Sequence, residues 1–156
     1  MTIQLNIGDH VSTYPGDVAI PNAHRGKFRW ARTRAIAIAR SFRTADAYFT
    51  SLPGGRTLTS LLADNSIWVN YNGIMPDFGQ AANGGTDIAV GKLAVQIGRW
   101  TILATLIHEL AHINGAPGRP SKAAERALVE CGLGTRRELS SGVDNPSTPY
   151  DPGISG

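Results

Sequence analysis

The chain has 156 residues, 42% of them hydrophobic and 17% charged, and a net charge of +3. That is enough apolar material for one packed domain, and it excludes a disordered or strongly polyionic chain. The single cysteine, Cys131, excludes an intramolecular disulfide, and no apolar run approaches the length of a membrane span.

In chain order, the opening Met1 to Asn6 lacks a basic segment followed by an apolar one, so no signal peptide is expected. The corresponding location is cytoplasmic, or export by a signal-independent route. Residues 1–28 read as irregular, broken by Pro15, Gly16, Pro21 and Gly26. Residues 29–51 read as one helix with Ala31, Ala35, Ile38, Phe42, Ala45 and Phe49 as its apolar stripe. Positive charge concentrates here, in Arg25, Lys27, Arg29, Arg32, Arg34, Arg40 and Arg43. A solvated helix face explains these residues better than a nucleic-acid surface, because interleaved aromatics and a binding motif are lacking. Neither nucleic acid nor membrane is an expected partner.

Pro53-Gly54-Gly55 closes that helix, and Thr57–Ala63 forms a short helical piece. Residues 66–72 alternate with β-branched and aromatic side chains, as a strand does. A loop follows from Gly73 to Gly85. Residues 87–90 and 93–96 read as two short strands around Gly91-Lys92. They offer an edge to which an extended peptide adds by main-chain hydrogen bonds. The tail from Ser140 is rich in Ser, Pro, Gly and Asp and reads as an extended surface segment. The whole, 1–156, reads as one domain.

Residues 108–112 are His108-Glu109-Leu110-Ala111-His112. On a helix, this spacing stacks two imidazoles one turn apart on a single face, within reach of one metal ion. Glu109 sits beside them, placed to take a proton from a water held there. The chemistry implied is hydrolysis of an amide bond with Zn2+ as cofactor. Three fixed residues in a chain with only four histidines make the match informative. Its surroundings agree: Leu103, Leu106, Ile107, Leu110 and Ile113 keep helical spacing, and Gly115 follows as a cap. A solvated stripe would carry Lys, Arg and several Glu. Here Glu109 is the only full charge between Arg99 and Arg119.

A catalytic zinc needs a third protein ligand. Glu125, Glu130, Glu138 and Asp144 lie downstream, and His10 and His24 upstream. A second helix is expected over 122–131, with Ser121 as its N-cap. If it runs antiparallel to the motif helix, Glu125 returns to the level of the histidines. Glu130 sits about 7.5 Å further along the axis, four residues after Arg126, where a surface ion pair accounts for it. Glu125 is therefore the preferred ligand and Glu130 the alternative. Cys131 reads as a small buried hydrophobe. Tyr150, Tyr71 and His24 are candidates to stabilise an oxyanion, with Tyr150 named first.

Ala104-Thr105-Leu106-Ile107-His108-Glu109-Leu110-Ala111-His112 resembles the zincin metallopeptidases, most closely the gluzincin branch, where a glutamate on the next helix completes the site. The resemblance covers residues 98–133 and the strands before them. The gap from His112 to Glu125 is shorter than in thermolysin-like enzymes, and Glu130 is nearer their spacing. Gly118 stands where a metzincin carries His or Asp, and Met1 and Met75 both precede the motif, so that branch is rejected. The chain is also similar to compact metallopeptidase domains of bacterial toxins and effectors. The resemblance implies an α+β, zincin-like fold: a small twisted sheet packed against an N-terminal helix and a central motif helix, followed by a second ligand helix. It implies a metalloendopeptidase acting on a protein or peptide substrate, for which an inhibitor or immunity protein is a candidate partner. The rival is a binding module with a structural or vestigial zinc, whose fourth ligand would be Asp144, His24 or Cys131.

Overall fold

A computed structural model of the protein describes residues 1–118 and 121–133. Within them the fold is mixed α/β, with a four-stranded sheet and six α-helices. The strands are β1 (Gln4–Leu5), β2 (Trp68–Asn72), β3 (Gly79–Ala81) and β4 (Asp87–Gly91). The helices are α1 (Arg25–Ser41), α2 (Arg43–Ser51), α3 (Leu58–Leu62), α4 (Lys92–Ile97), α5 (Arg99–Ile113) and α6 (Lys122–Glu130), with a 3-10 turn at Asn22–His24. None of these helices is long and apolar enough to cross a membrane.

The sheet order is β1-β2-β4-β3. The first three strands run parallel, and β3 is an antiparallel edge. Strand alternation sorts the side chains by face. Leu5, Val69, Ile88 and Val90 enter the main core. Trp68, Asn70, Asn72 and Asp87 share the opposite face, which residues 6–18 cover. There His10 stacks on Trp68 with centroids 4.3 Å apart, and its Nε2 lies 2.7 Å from Asp87 Oδ1. Asn70 donates to the same oxygen at 2.9 Å, and Asn6 donates to Asn70 Oδ1 at 2.8 Å.

The N-terminal 28 residues are thus not irregular: they hold β1, the strap over the sheet and the 3-10 turn. A two-residue strand is too short to show alternation, and Asn6, His10 and Asp17 of the strap pair with side chains of the sheet. The expected helix over 29–51 is two helices. Phe42 breaks it with extended backbone (φ −105°, ψ 105°). No Pro or Gly marks the break. Its ring leaves the stripe and lies against Gly132, where a Cβ would be 2.7 Å from Phe42 Cε1. Residues 93–96 form α4 instead of a strand. Short apolar runs look alike in either state, and β2 ends at Asn72, opposite Gly91, so a longer β4 would have no partner. The short helix α3 follows its expectation, with the Thr57 side chain accepting from Ser60 N–H.

Helix α5 runs through the middle. Every residue from Thr101 to Ile113 is buried, and the helix touches α1, α4, α6, β3 and β4. Its C-terminus organises the connections. Gly115 takes φ +91°, Ala116 N–H donates to Ala111 O at 2.9 Å, and Gly115 N–H donates to His112 O at 2.9 Å. This is the left-handed glycine cap that the sequence predicted. Asn114, 1% exposed, then fastens the α2–α3 connection. Its side chain donates to Phe49 O and Arg56 O, both at 2.8 Å, and accepts from Arg56 N–H at 3.1 Å. Its carbonyl accepts from Gly54 N–H at 2.8 Å. Replacing Asn114 by Ala strands one buried and two part-buried backbone groups. We expect Asn114→Ala to lower the unfolding free energy by about 3 kcal/mol in urea titrations with an unchanged m-value. A loss below about 1 kcal/mol would mean that these bonds do not hold the connection.

Candidate metal centre

The helical repeat brings the two imidazoles of the motif together as the spacing requires. His108 Nε2 and His112 Nε2 face each other at 3.0 Å, with the ring centroids 4.7 Å apart. The other nitrogen of each ring is directed at an oxygen. His112 Nδ1 lies 2.9 Å from Ala116 O, a carbonyl delivered by the glycine cap. His108 Nδ1 lies 3.1 Å from Glu125 Oε1 on α6. The second contact is close but poorly aligned, because Glu125 Oε1 is buried without a hydrogen bond.

A carbonyl can only accept, so Nδ1 of a neutral His112 carries its proton. The two Nε2 atoms converge to 3.0 Å, and neutral imidazole nitrogen is an ordinary zinc donor. The nitrogen pair therefore fits a metal.

Glu125 meets His108 at the outer edge of the ring, on Nδ1. A carboxylate there helps to fix the orientation of the ring. Among the described residues, no three His, Cys, Asp or Glu side chains form a metal-binding group. Glu130 pairs instead with Arg126, Oε1 to Nε at 3.6 Å, and its carbonyl accepts from Thr44 Oγ1 at 2.6 Å. His10 lies on the far face of the sheet with Asp87. His24 ends the 3-10 turn, and Tyr71 lies on β2, its backbone bridged to Val18. Tyr150, Glu138 and Asp144 lie outside the described residues. Ser121 occupies the N-cap position of α6, but its hydroxyl donates to Gly118 O at 2.7 Å and caps nothing. Cys131 is buried at 1% exposure, and burial pushes its thiol up to about 12.

Glu109 is 4% exposed and borders β3. A Cβ at Gly79 would lie 2.9 Å from Glu109 Oε1 and 2.5 Å from Thr105 Cγ2. Only glycine lets the edge strand come this close. The turn after β3 is tied to the end of α5. Gly84 N–H donates to Ile113 O at 3.0 Å. Asn83, with its amide nitrogen turned toward the carbonyls, donates to His112 O at 3.0 Å and Ala116 O at 3.1 Å. The sequence reading assigned this segment to a loop and missed Gly79. A signal was present: Gln80-Ala81-Ala82 precedes Asn83-Gly84-Gly85, a turn cluster directly before a strand.

Compared with known proteins, the chain matches no family model, no curated protein and no solved structure.

Two outcomes follow. Gly79→Ala forces β3 or the Glu109 carboxylate to shift, and should cost about 1–3 kcal/mol in thermal or urea unfolding. Wild-type stability in this variant would show that the strand is free to move away. The Cys131 thiol should react with a disulfide reagent at pH 8 only as fast as the protein opens, and promptly in denaturant. Immediate reaction of native protein would contradict its burial.

Proposed function

We propose that the protein is a zinc-dependent metallopeptidase of zincin type, in which His108 and His112 hold the metal, Glu125 is either the third ligand or the group that orients His108, and Glu109 is the general base. The observation that carries this reading is the convergence of the two Nε2 atoms to 3.0 Å, with His112 Nδ1 on Ala116 O and a Glu125 oxygen 3.1 Å from His108 Nδ1. The order of elements supports it too. An antiparallel edge strand lies on the glutamate of the motif, and the following helix brings a carboxylate to the first histidine.

Zinc held there would polarise a carbonyl and acidify a water molecule. The chain's own groups do the rest. His112 is locked by Ala116 O, so its donor nitrogen keeps one direction. Glu109 takes the proton of the attacking water and returns it to the leaving amine. Its burial beside β3 keeps bulk water from competing for that proton. An extended peptide added at the free side of β3 would run past Glu109, which makes the main chain of a protein or peptide the substrate class.

A second reading has one observation in its favour. His108, Glu109 and His112 are 5%, 4% and 6% exposed, so the site is shut to solvent. A binding module with a structural or vestigial zinc would look the same.

The test is metal content with peptidase activity. Wild-type protein should carry about one zinc per chain, as a catalytic site does. His112→Ala should lose it. Glu109→Gln should keep zinc and lose hydrolysis of a denatured protein substrate. Full activity in Glu109→Gln removes the base, whereas zinc binding with no hydrolysis in any wild-type preparation selects the binding module. Glu125→Ala separates a direct ligand from an orienting group. A direct ligand loses stoichiometric zinc, whereas orientation through His108 leaves binding about 10–100-fold weaker.

A further inference from the structure

Helix α1 and the start of α5 form a second chemical feature, on the outside of the molecule. No Asp or Glu occurs from Val18 to Ala45, nor from Ile88 to His108. These two stretches pack together and supply Lys27, Arg29, Arg34, Arg40 and Arg99, all exposed. Among the described residues none of the five pairs with a carboxylate. Two further cations are committed elsewhere. Arg25 donates to Ile20 O and Ile7 O, and Arg32 donates to Ile3 O, so both hold the N-terminal segment to the helix. The Arg32 guanidinium is held below its ordinary range by burial and by the neighbouring charge of Arg29.

Aromatic rings set the guanidinium positions. Arg99 Cζ lies 4.3 Å over the Trp30 ring, and Arg34 Cζ lies 5.6 Å from the Trp100 centroid. The two indoles meet edge to face with centroids 4.9 Å apart. A guanidinium stacked on an indole loses little further freedom on binding and keeps its N–H edges outward. Those edges match the paired oxygens of a phosphate. The interleaved aromatics missing from the local sequence are therefore supplied by the fold, since Trp100 comes from seventy residues downstream of Trp30.

We propose that this face binds the phosphate backbone of nucleic acid. Lys27 and Arg34 lie on the Trp30 side of α1 and about 10 Å apart along it, the scale of successive phosphates, with Arg99 beside them, whereas Arg29 and Arg40 lie roughly 140° round the helix and extend the charge past its edge. A protein partner would need a dry apolar centre, and a membrane would need protruding apolar anchors. This face has neither, because both indoles are half-buried and carry guanidiniums. One face of each ring is taken, so base stacking is secondary, and the face reads backbone charge rather than sequence.

The experiment is fluorescence anisotropy of labelled 20-nucleotide single-stranded and duplex DNA against the whole chain, from 50 to 200 mM NaCl. Engaging about three phosphates predicts roughly a 40-fold loss of affinity over that range. Arg34→Gln combined with Arg99→Gln should weaken binding at low salt about ten-fold or more, and reduce the salt slope by about two. Lys27→Gln with Arg29→Gln gives an independent pair that touches no indole, and circular dichroism verifies that each variant is folded. No binding at 50 mM salt overturns the proposal, as does binding that both folded pairs leave unchanged. Equal competition by polyglutamate of the same charge would assign the face to acidic protein, and binding only to phosphatidylglycerol vesicles would assign it to a membrane. Metal content plays no part in these readouts, so the result stands whether or not the zinc reading holds.

Discussion

The structure depends on one awkward fact: its central helix is buried on every side and still carries two histidines and a glutamate. Burying such groups without partners costs several kcal/mol each. The surrounding elements answer that cost one atom at a time. The glycine cap turns Ala116 O onto His112, α6 brings Glu125 to His108, and β3 packs against Glu109. The inner nitrogens of the two rings then meet at 3.0 Å, within the span of one small cation.

The end of α5 is where local and tertiary structure become inseparable. Gly115 is required twice, once for its positive φ and once because a Cβ would lie 2.9 Å from Pro53 Cβ. Gly54 is needed for a similar reason, since a Cβ there would strike the Asn114 side chain. The α2–α3 connection, the turn after β3 and the cap of α5 converge on residues 112–116. A substitution at any of them would therefore reach His112 through its Nδ1 partner without touching the ring. Stability and donor geometry cannot be tuned independently here.

What could be read from sequence divides along the same line. The motif helix, its cap, α3 and β2 are each specified by residues within a few positions of one another, and local pattern suffices for them. Glu125 was favoured over Glu130 by its level on the helix and by the ion pair open to Glu130, and the contact with His108 belongs to Glu125. The errors share a cause. Phe42 breaks a helix to cover a glycine ninety residues away. Residues 93–96 become helical where the neighbouring strand runs out. Both β1 and β3 are too short for alternation to register, and each is fixed by pairing with a distant or later strand. None of these determinants lies within the window that periodicity can see.

The polarity of α5 bears on both proposed sites. Aligned peptide dipoles place about half a positive charge at the N-terminus of a helix and half a negative charge at its C-terminus. No acidic residue occupies the first turn of α5, and Gly98 offers no side-chain cap. Arg99 sits there, stacked on Trp30, where the dipole already disfavours a cation. An anion placed at that end would relieve the like-charge crowding of Arg99 with the helix. At the other end His112 lies in the last turn, where positive charge is stabilised. A metal at the histidines and a phosphate at the tryptophans would thus sit at the ends of one dipole that favour them. They would lie about 20 Å apart, beyond the Debye length of about 8 Å at physiological salt. Direct coupling through solvent is weak at that range, so each site can fill without the other. The orientation of the helix alone would suit both proposed sites.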